Sequence, residues 1–129
     1  MKRVLFLIVV LFLFVTGLVF AQPKEKIAIA ADGKTTAAKV SSVAARSPYY
    51  LLFDGSGNLL ETLENPYQAA KSGAAASVLS LLAKKGVMLI IAGDFGDNMI
   101  RDMKGKGIKY VEFKGSVKEA LEKGLGTEK

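Results

Sequence analysis

Residues 87–92, Val-Met-Leu-Ile-Ile-Ala, are apolar at every position. A strand with one wet face alternates apolar and polar residues. A strand apolar throughout buries both faces, so it belongs in the middle of a sheet that is covered on both sides. That requirement points to a three-layer domain, with helices above and below a sheet. The flanking residues agree. Upstream, Ala75, Val78, Leu79 and Leu82 fall at helical spacing, Lys84-Lys85 suit a helix C-terminus, and Gly86 suits the position just past it. Downstream come Gly93 to Asn98, a short helix with Met99, Ile100 and Met103 ending at Gly105 and Gly107, and a strand over 108–113. Strand, helix and strand in this order imply a right-handed crossover and parallel pairing. Ser116-Val-Lys-Glu119 is a capping box that opens a last helix with Val117, Ala120 and Leu121 inward. The tail from Gly124 to Lys129 is expected to fray. Leu79, Leu82, Leu89 and Ile91 are the expected core, with the helix stripe covering one face of the central strand.

The first half reads differently. Lys26 to Ala31 is a strand that breaks at Asp32-Gly33, and residues 34–47 form a loop without periodicity that ends at Ser47-Pro48. Tyr49 to Phe53 and Leu59 to Leu63 flank the turn Asp54-Gly-Ser-Gly-Asn58, which makes a β-hairpin, and Asn65-Pro66 closes it. The expected fold class is therefore α/β, a three-layer α/β/α domain with a mixed five-stranded sheet.

At the N-terminus, Lys2 and Arg3 precede an unbroken apolar run from Val4 to Val15, and Val19 and Ala21 stand at the −3 and −1 positions before Gln22. This is the pattern of a secretory signal, giving a signal peptide over 1–21 and one domain over 22–129. The alternative is an uncleaved anchor, since residues 4–21 are uncharged and just long enough to span a bilayer. Both readings put the domain outside the cytoplasm, periplasmic or extracellular.

The chain has no cysteine and no histidine. Disulfides, thiolate nucleophiles, Cys-ligated clusters and His-based triads are all excluded. The formal charge is +6, or +4 once Lys2 and Arg3 are set aside, which by itself does not require a nucleic-acid partner. Tyr49 and Tyr50 near Arg46 suggest base stacking at most weakly; a buried hairpin strand explains them better.

Ligands of open α/β sheets settle beyond the carboxyl ends of the parallel strands. Two loops leave such ends here. One holds Asp32, Gly33, Lys34, Lys39, Ser41 and Arg46, and the other runs Gly93-Asp94-Phe95-Gly96-Asp97-Asn98. Glycines in the second let the backbone approach a ligand, and the helix that follows offers free N–H groups to an anion, with Arg46 and Lys34 as counter-charges. The plainer account is that Asp97 or Asn98 caps the helix. Asp32, Asp94 and Asp97 would serve a carboxylate-dependent, magnesium-assisted hydrolase if they converged.

The ordered series Lys26-Ile-Ala-Ile-Ala-Ala-Asp-Gly33, Val40-Ser41, Arg46-Ser-Pro-Tyr-Tyr50, Phe53-Asp54, Glu64-Asn-Pro66, Gly86-Val87, Ile91-Ala-Gly93, Gly96 with Asn98, and Gly107-Ile108 resembles the dinitrogenase iron–molybdenum cofactor biosynthesis family. The likeness covers about residues 25–124. It implies a ribonuclease H-like α/β/α fold and non-enzymatic binding of an iron–molybdenum or iron–sulfur cluster or its precursors. The implied cofactor-binding residues are Asp32, Gly33, Ser41, Arg46, Gly93, Asp94, Gly96 and Asn98, with no metal ligand assigned. Family members typically carry a histidine, the suspected cofactor ligand, where this chain has Val43, and a second where it has Asp94. The expected function is thus an exported carrier of a small anionic ligand or metal cluster, not an enzyme. The alternative is an exported structural or interaction module that has lost cofactor binding.

Overall fold

The computed structural model describes residues 25–127. The signal peptide expected over residues 1–21 lies outside the described residues. The elements are β1 (Lys26–Ala31), β2 (Tyr49–Phe53), β3 (Leu59–Glu64), α1 (Ala74–Lys84), β4 (Val87–Ala92), α2 (Asp97–Lys106), β5 (Lys109–Glu112) and α3 (Val117–Thr127). The strands form one sheet in the order β3-β2-β1-β4-β5. β1 pairs with β4, and β4 with β5, in parallel, while β1–β2 and β2–β3 are antiparallel. This is the mixed five-stranded sheet that the sequence implies.

Two cores follow from the pleat. Ala28, Ala30, Tyr50, Leu52, Ile90 and Ala92 face Val78, Leu79 and Leu82 of α1 and Met99 and Met103 of α2. On the other face Ile27, Ile29, Leu51, Phe53, Leu89 and Ile91 meet Val117 and Ala120 of α3. The domain therefore has three layers, with β4 buried on both sides.

One expectation needs correcting. Leu79, Leu82, Leu89 and Ile91 are all buried, but α1 does not cover Leu89 and Ile91. Successive side chains of a strand point to opposite faces, so a single helix meets only alternate residues. Here α1 packs on the Ile90 side, and α3 takes Leu89 and Ile91.

A second correction concerns the C-terminus, which does not fray at Gly124. Helix α3 continues to Thr127, and Gly124 is buried. A Cβ at Gly124 would lie 2.9 Å from Ile91 Cδ1, so the bare glycine lets the helix sit down on the sheet. Leu125 then packs into the same core and reaches the hairpin turn at Gly57. Helix α2 likewise runs past Gly105 and stops at Gly107, whose φ of 71° ends it in the left-handed conformation. Among the described residues no helix is long and apolar enough to cross a membrane.

Candidate functional site

The two loops expected to form a site leave the carboxyl edge of the sheet, as anticipated; their outer parts diverge, while the 40–44 stretch of the first is hydrogen-bonded to Gly93 and Asp94 of the second. After β1 the chain turns through Asp32 to Lys39 over the α3 side. There the N–H groups of Val117 and Lys118 donate to the carbonyls of Ala38 and Thr36, at 2.9 and 3.0 Å. The Ser116–Glu119 capping box closes as expected, with Glu119 N–H donating to Ser116 Oγ at 3.2 Å. Lys34 lies over the Tyr49 ring, 5.6 Å from its centroid, and is no counter-charge to the 93–98 loop. Asp32 and Gly33 stay with this hairpin, while Arg46 and Asn98 line a concavity beside α1 and α2.

Residues 40–44 then cross the carboxyl edge between β1 and β4. Ser41 N–H donates to the Ala30 carbonyl (2.8 Å), Gly93 N–H to the Ser41 carbonyl (2.8 Å), and Ala44 N–H to the Asp94 carbonyl (3.0 Å). The crevice where parallel strands part is thus filled by the chain's own backbone. Gly93 serves this contact. A Cβ there would stand 2.9 Å from Ser42 Cα, so its bareness admits the 41–42 segment and not a ligand. Val43 rides at the apex of the segment, 49% exposed.

Helix α2 corrects the capping expectation. Its N-cap is Gly96, in an extended conformation and with no side-chain cap, so neither Asp97 nor Asn98 takes that role. Asn98 Oδ1 instead accepts a hydrogen bond from Arg101. Nor do Asp32, Asp94 and Asp97 converge. Among the described residues no group of three carboxylates is placed to hold a metal ion.

The crossing segment separates two concavities. One, of about 1030 Å³, is lined by Lys39, Ser42, Gly93, Asp94, Glu112 and Lys114, with charges of both signs. The other, of about 420 Å³, is lined by Ala45, Arg46, Asn98, Arg101, Asp102 and the first turn of α1 from Gly73 to Ala76. That turn has no acidic residue, and its N-cap, Gly73, has no side-chain cap. Two guanidinium groups beside free helix N–H groups favour an anion. Arg46 is anchored by donating Nη1–H to the carbonyls of Gln68 (3.1 Å) and Ala70 (2.7 Å), and among the described residues its other donors have no partner.

The family model described as dinitrogenase iron-molybdenum cofactor matches residues 25–125. The chain belongs to this family. An NMR structure of a Thermotoga protein, named as a candidate NifB protein, is 35% identical over 76% of this chain and 84% of its own, with a TM-score of 0.64. The apo form of the orange protein from Desulfovibrio gigas superposes with a TM-score of 0.74 at 23% identity, covering 84% of this chain and 92% of that one. A candidate dinitrogenase from Methanocaldococcus jannaschii gives 0.58 at 18% identity over 83% and 93% of the two chains. These last two share the fold. No curated protein matches the sequence significantly.

The family's Arg46-Ser-Pro-Tyr-Tyr50 and Glu64-Asn-Pro66 stretches turn out to be the scaffold of the apex. Asn65 is buried, and its Nδ2, with two hydrogens to donate, has the carbonyls of Ala45 (3.1 Å) and Ser47 (2.9 Å) and the Tyr50 hydroxyl (3.3 Å) in reach as acceptors. Its Oδ1 accepts from Tyr67 N–H at 2.9 Å. Ser47 Oγ donates to main-chain carbonyls, with those of Ala31 (3.1 Å) and Tyr49 (2.7 Å) in reach. In the sequence Asn65 reads as a strand terminator, and no motif marks Arg101.

Tyr50 donates its hydroxyl to the Ala44 carbonyl, next to the apex. Burial pushes its pKa well above the ordinary phenol value of 10.0. Because the folded value is the raised one, unfolding releases a proton at high pH. This contribution to stability is therefore intact below about pH 10 and declines as pH rises past it. Tyr50→Phe is expected to cost about 1 kcal/mol near neutrality and to flatten the loss of stability between about pH 9 and pH 11. Denaturant melts across that range check both. Parallel pH profiles for the two proteins would refute the assignment.

Proposed function

We propose that the chain is a non-enzymatic carrier that holds an anionic metal cluster, of the iron–molybdenum or iron–sulfur kind, outside the cytoplasm. The cluster is cargo held from outside, not through protein ligands to its metals. The Val43 side chain has no donor atom, Met99 and Met103 are buried in the core, and the partly buried Met88 lies at the opposite edge of the sheet, beside Lys104 and Lys109. What remains is outer-sphere holding by main-chain N–H groups, guanidinium groups and hydroxyls. The observation that carries the reading is the pairing of Arg46 and Arg101 at the uncapped start of α1, beside the Val43 apex. Residues 1–21 deliver the domain, either released after Ala21 or retained at the membrane. One observation favours the second reading, an interaction module: the apex carries an exposed valine instead of a polar group.

Anaerobic titration with an iron–sulfur donor or molybdate, followed by visible absorbance, tests the proposal. Arg46→Ala is expected to weaken binding by about 1.5–3 kcal/mol, the worth of a charge-assisted hydrogen bond. Val43→His is expected to strengthen cluster binding by adding a ligand at the apex. Tight binding that ignores the Arg46 change would move the seat elsewhere. A chain that takes up neither probe would leave the interaction module.

A further inference from the structure

The edge of the sheet opposite the candidate site carries a coincidence of charge, apolar surface and chain entry. β1 begins there with Lys26, and Lys84 and Lys85 stand just before β4. Lys104, Lys106 and Lys109 surround the start of β5. Among the described residues the acids at the ends of the strands on this edge are Glu25, Asp54 and Glu61, and Glu61 is paired with Lys85 at 2.9 Å. β3 opens at the same edge with Leu59 and Leu60, 48% and 49% exposed. Lysines near helix C-termini complement the helix dipole, which accounts for those at the ends of α1 and α2 one at a time. It does not account for Lys26 and Lys109 at strand starts, or for two leucines left in water on the same edge.

The chain also enters the fold here. The uncharged run over residues 4–21 ends five residues before Lys26, a stretch that reaches at most about 18 Å when fully extended. While that run is retained in a bilayer, this edge stays at the membrane surface.

We infer that the amino edge of the sheet is a docking face for an anionic phospholipid surface. Lys26, Lys84, Lys104, Lys106 and Lys109 lie over the headgroups, and Leu59 and Leu60 enter the interface. Juxtamembrane lysines are drawn to anionic lipid within a Debye length of the surface, and apolar side chains beside them add to the attraction. In this pose Val43 and Arg46, at the other end of the strands, face the aqueous phase. The inference rests on the alternative reading of the N-terminal segment given above, in which residues 4–21 stay in the membrane as an uncleaved anchor.

The chain has no tryptophan, so a single introduced indole reports its own position. Full-length Leu60→Trp and Val43→Trp proteins are mixed with vesicles whose acyl chains are brominated. The lipid is either pure phosphatidylcholine or a mixture with phosphatidylglycerol. The expected result is quenching at position 60 severalfold stronger than at position 43, only with phosphatidylglycerol. High salt or the combined Lys84→Glu, Lys104→Glu and Lys109→Glu changes should remove it. Equal quenching at the two positions, or the same signal in both lipids, overturns the docking face. Flotation reads the tether separately. Failure to float with phosphatidylcholine vesicles sinks the targeting segment, while a floated chain without lipid-dependent quenching sinks the face alone. Flotation with neither lipid sinks both.

Discussion

Leu82→Ala is expected to destabilise the domain by about 2–5 kcal/mol, the range for emptying a well-packed leucine site. Leu82 is fully buried on the inner face of α1, in the core that also holds Val78, Leu79, Ile90 and Met103. The deleted atoms lose their transfer free energy, and the cavity left behind cannot close readily. One of its walls is a sheet fixed by pairing on both edges of β4, and α2 flanks α1. Leu59→Ala is the matching control. That side chain is half exposed on the edge strand β3, where a change of roughly 0.5 kcal/mol or less is expected. Urea midpoints at constant slope would give both values. If Leu82→Ala lost less than about 1 kcal/mol, the α1 layer would not be packed as described.

How much of this was legible in the sequence depends on range. The doubly apolar run over 87–92, the helical stripe of α1 and the Ser116–Glu119 box are local patterns, and each maps onto the element it announced. The hairpin was legible for the same reason. Which helix lies on which face was not, because Leu82 and Leu89 carry no mark of which side of β4 they address. Gly124 misled because glycine lowers helix propensity, whereas its packing value, close approach to Ile91, is a tertiary fact. The site shows the same division. Residues that leave strand ends were found, but the hydrogen bonds that send Asp32 to one side of the sheet and Arg46 to the other are long-range. Asn65 was visible only as a turn signal; its four partners come from residues 45, 47, 50 and 67.

Gly93→Ala joins the fold to the site. The added Cβ would lie 2.9 Å from Ser42 Cα, 3.1 Å from the Ser41 carbonyl oxygen and 3.3 Å from that of Ser42. All three are backbone atoms of the crossing segment, so no flexible side chain can swing aside. The segment itself must lift. That stretches the bond from Gly93 N–H to the Ser41 carbonyl, now 2.8 Å, and carries Val43 and Arg46 away with it. The expected cost is about 1–3 kcal/mol, as for overpacking elsewhere. Faster amide exchange at Ser41 and Ala44 should accompany it, because both donors hold the segment down. Gly96→Ala, three residues on, meets nothing within 4 Å at a backbone φ of −70°. It is expected to shift stability by roughly 0.5 kcal/mol or less and to leave those amides protected. The contrast isolates the crossing segment from the loop as a whole. If the two variants behaved alike, Gly93 would not be the residue that seats the apex.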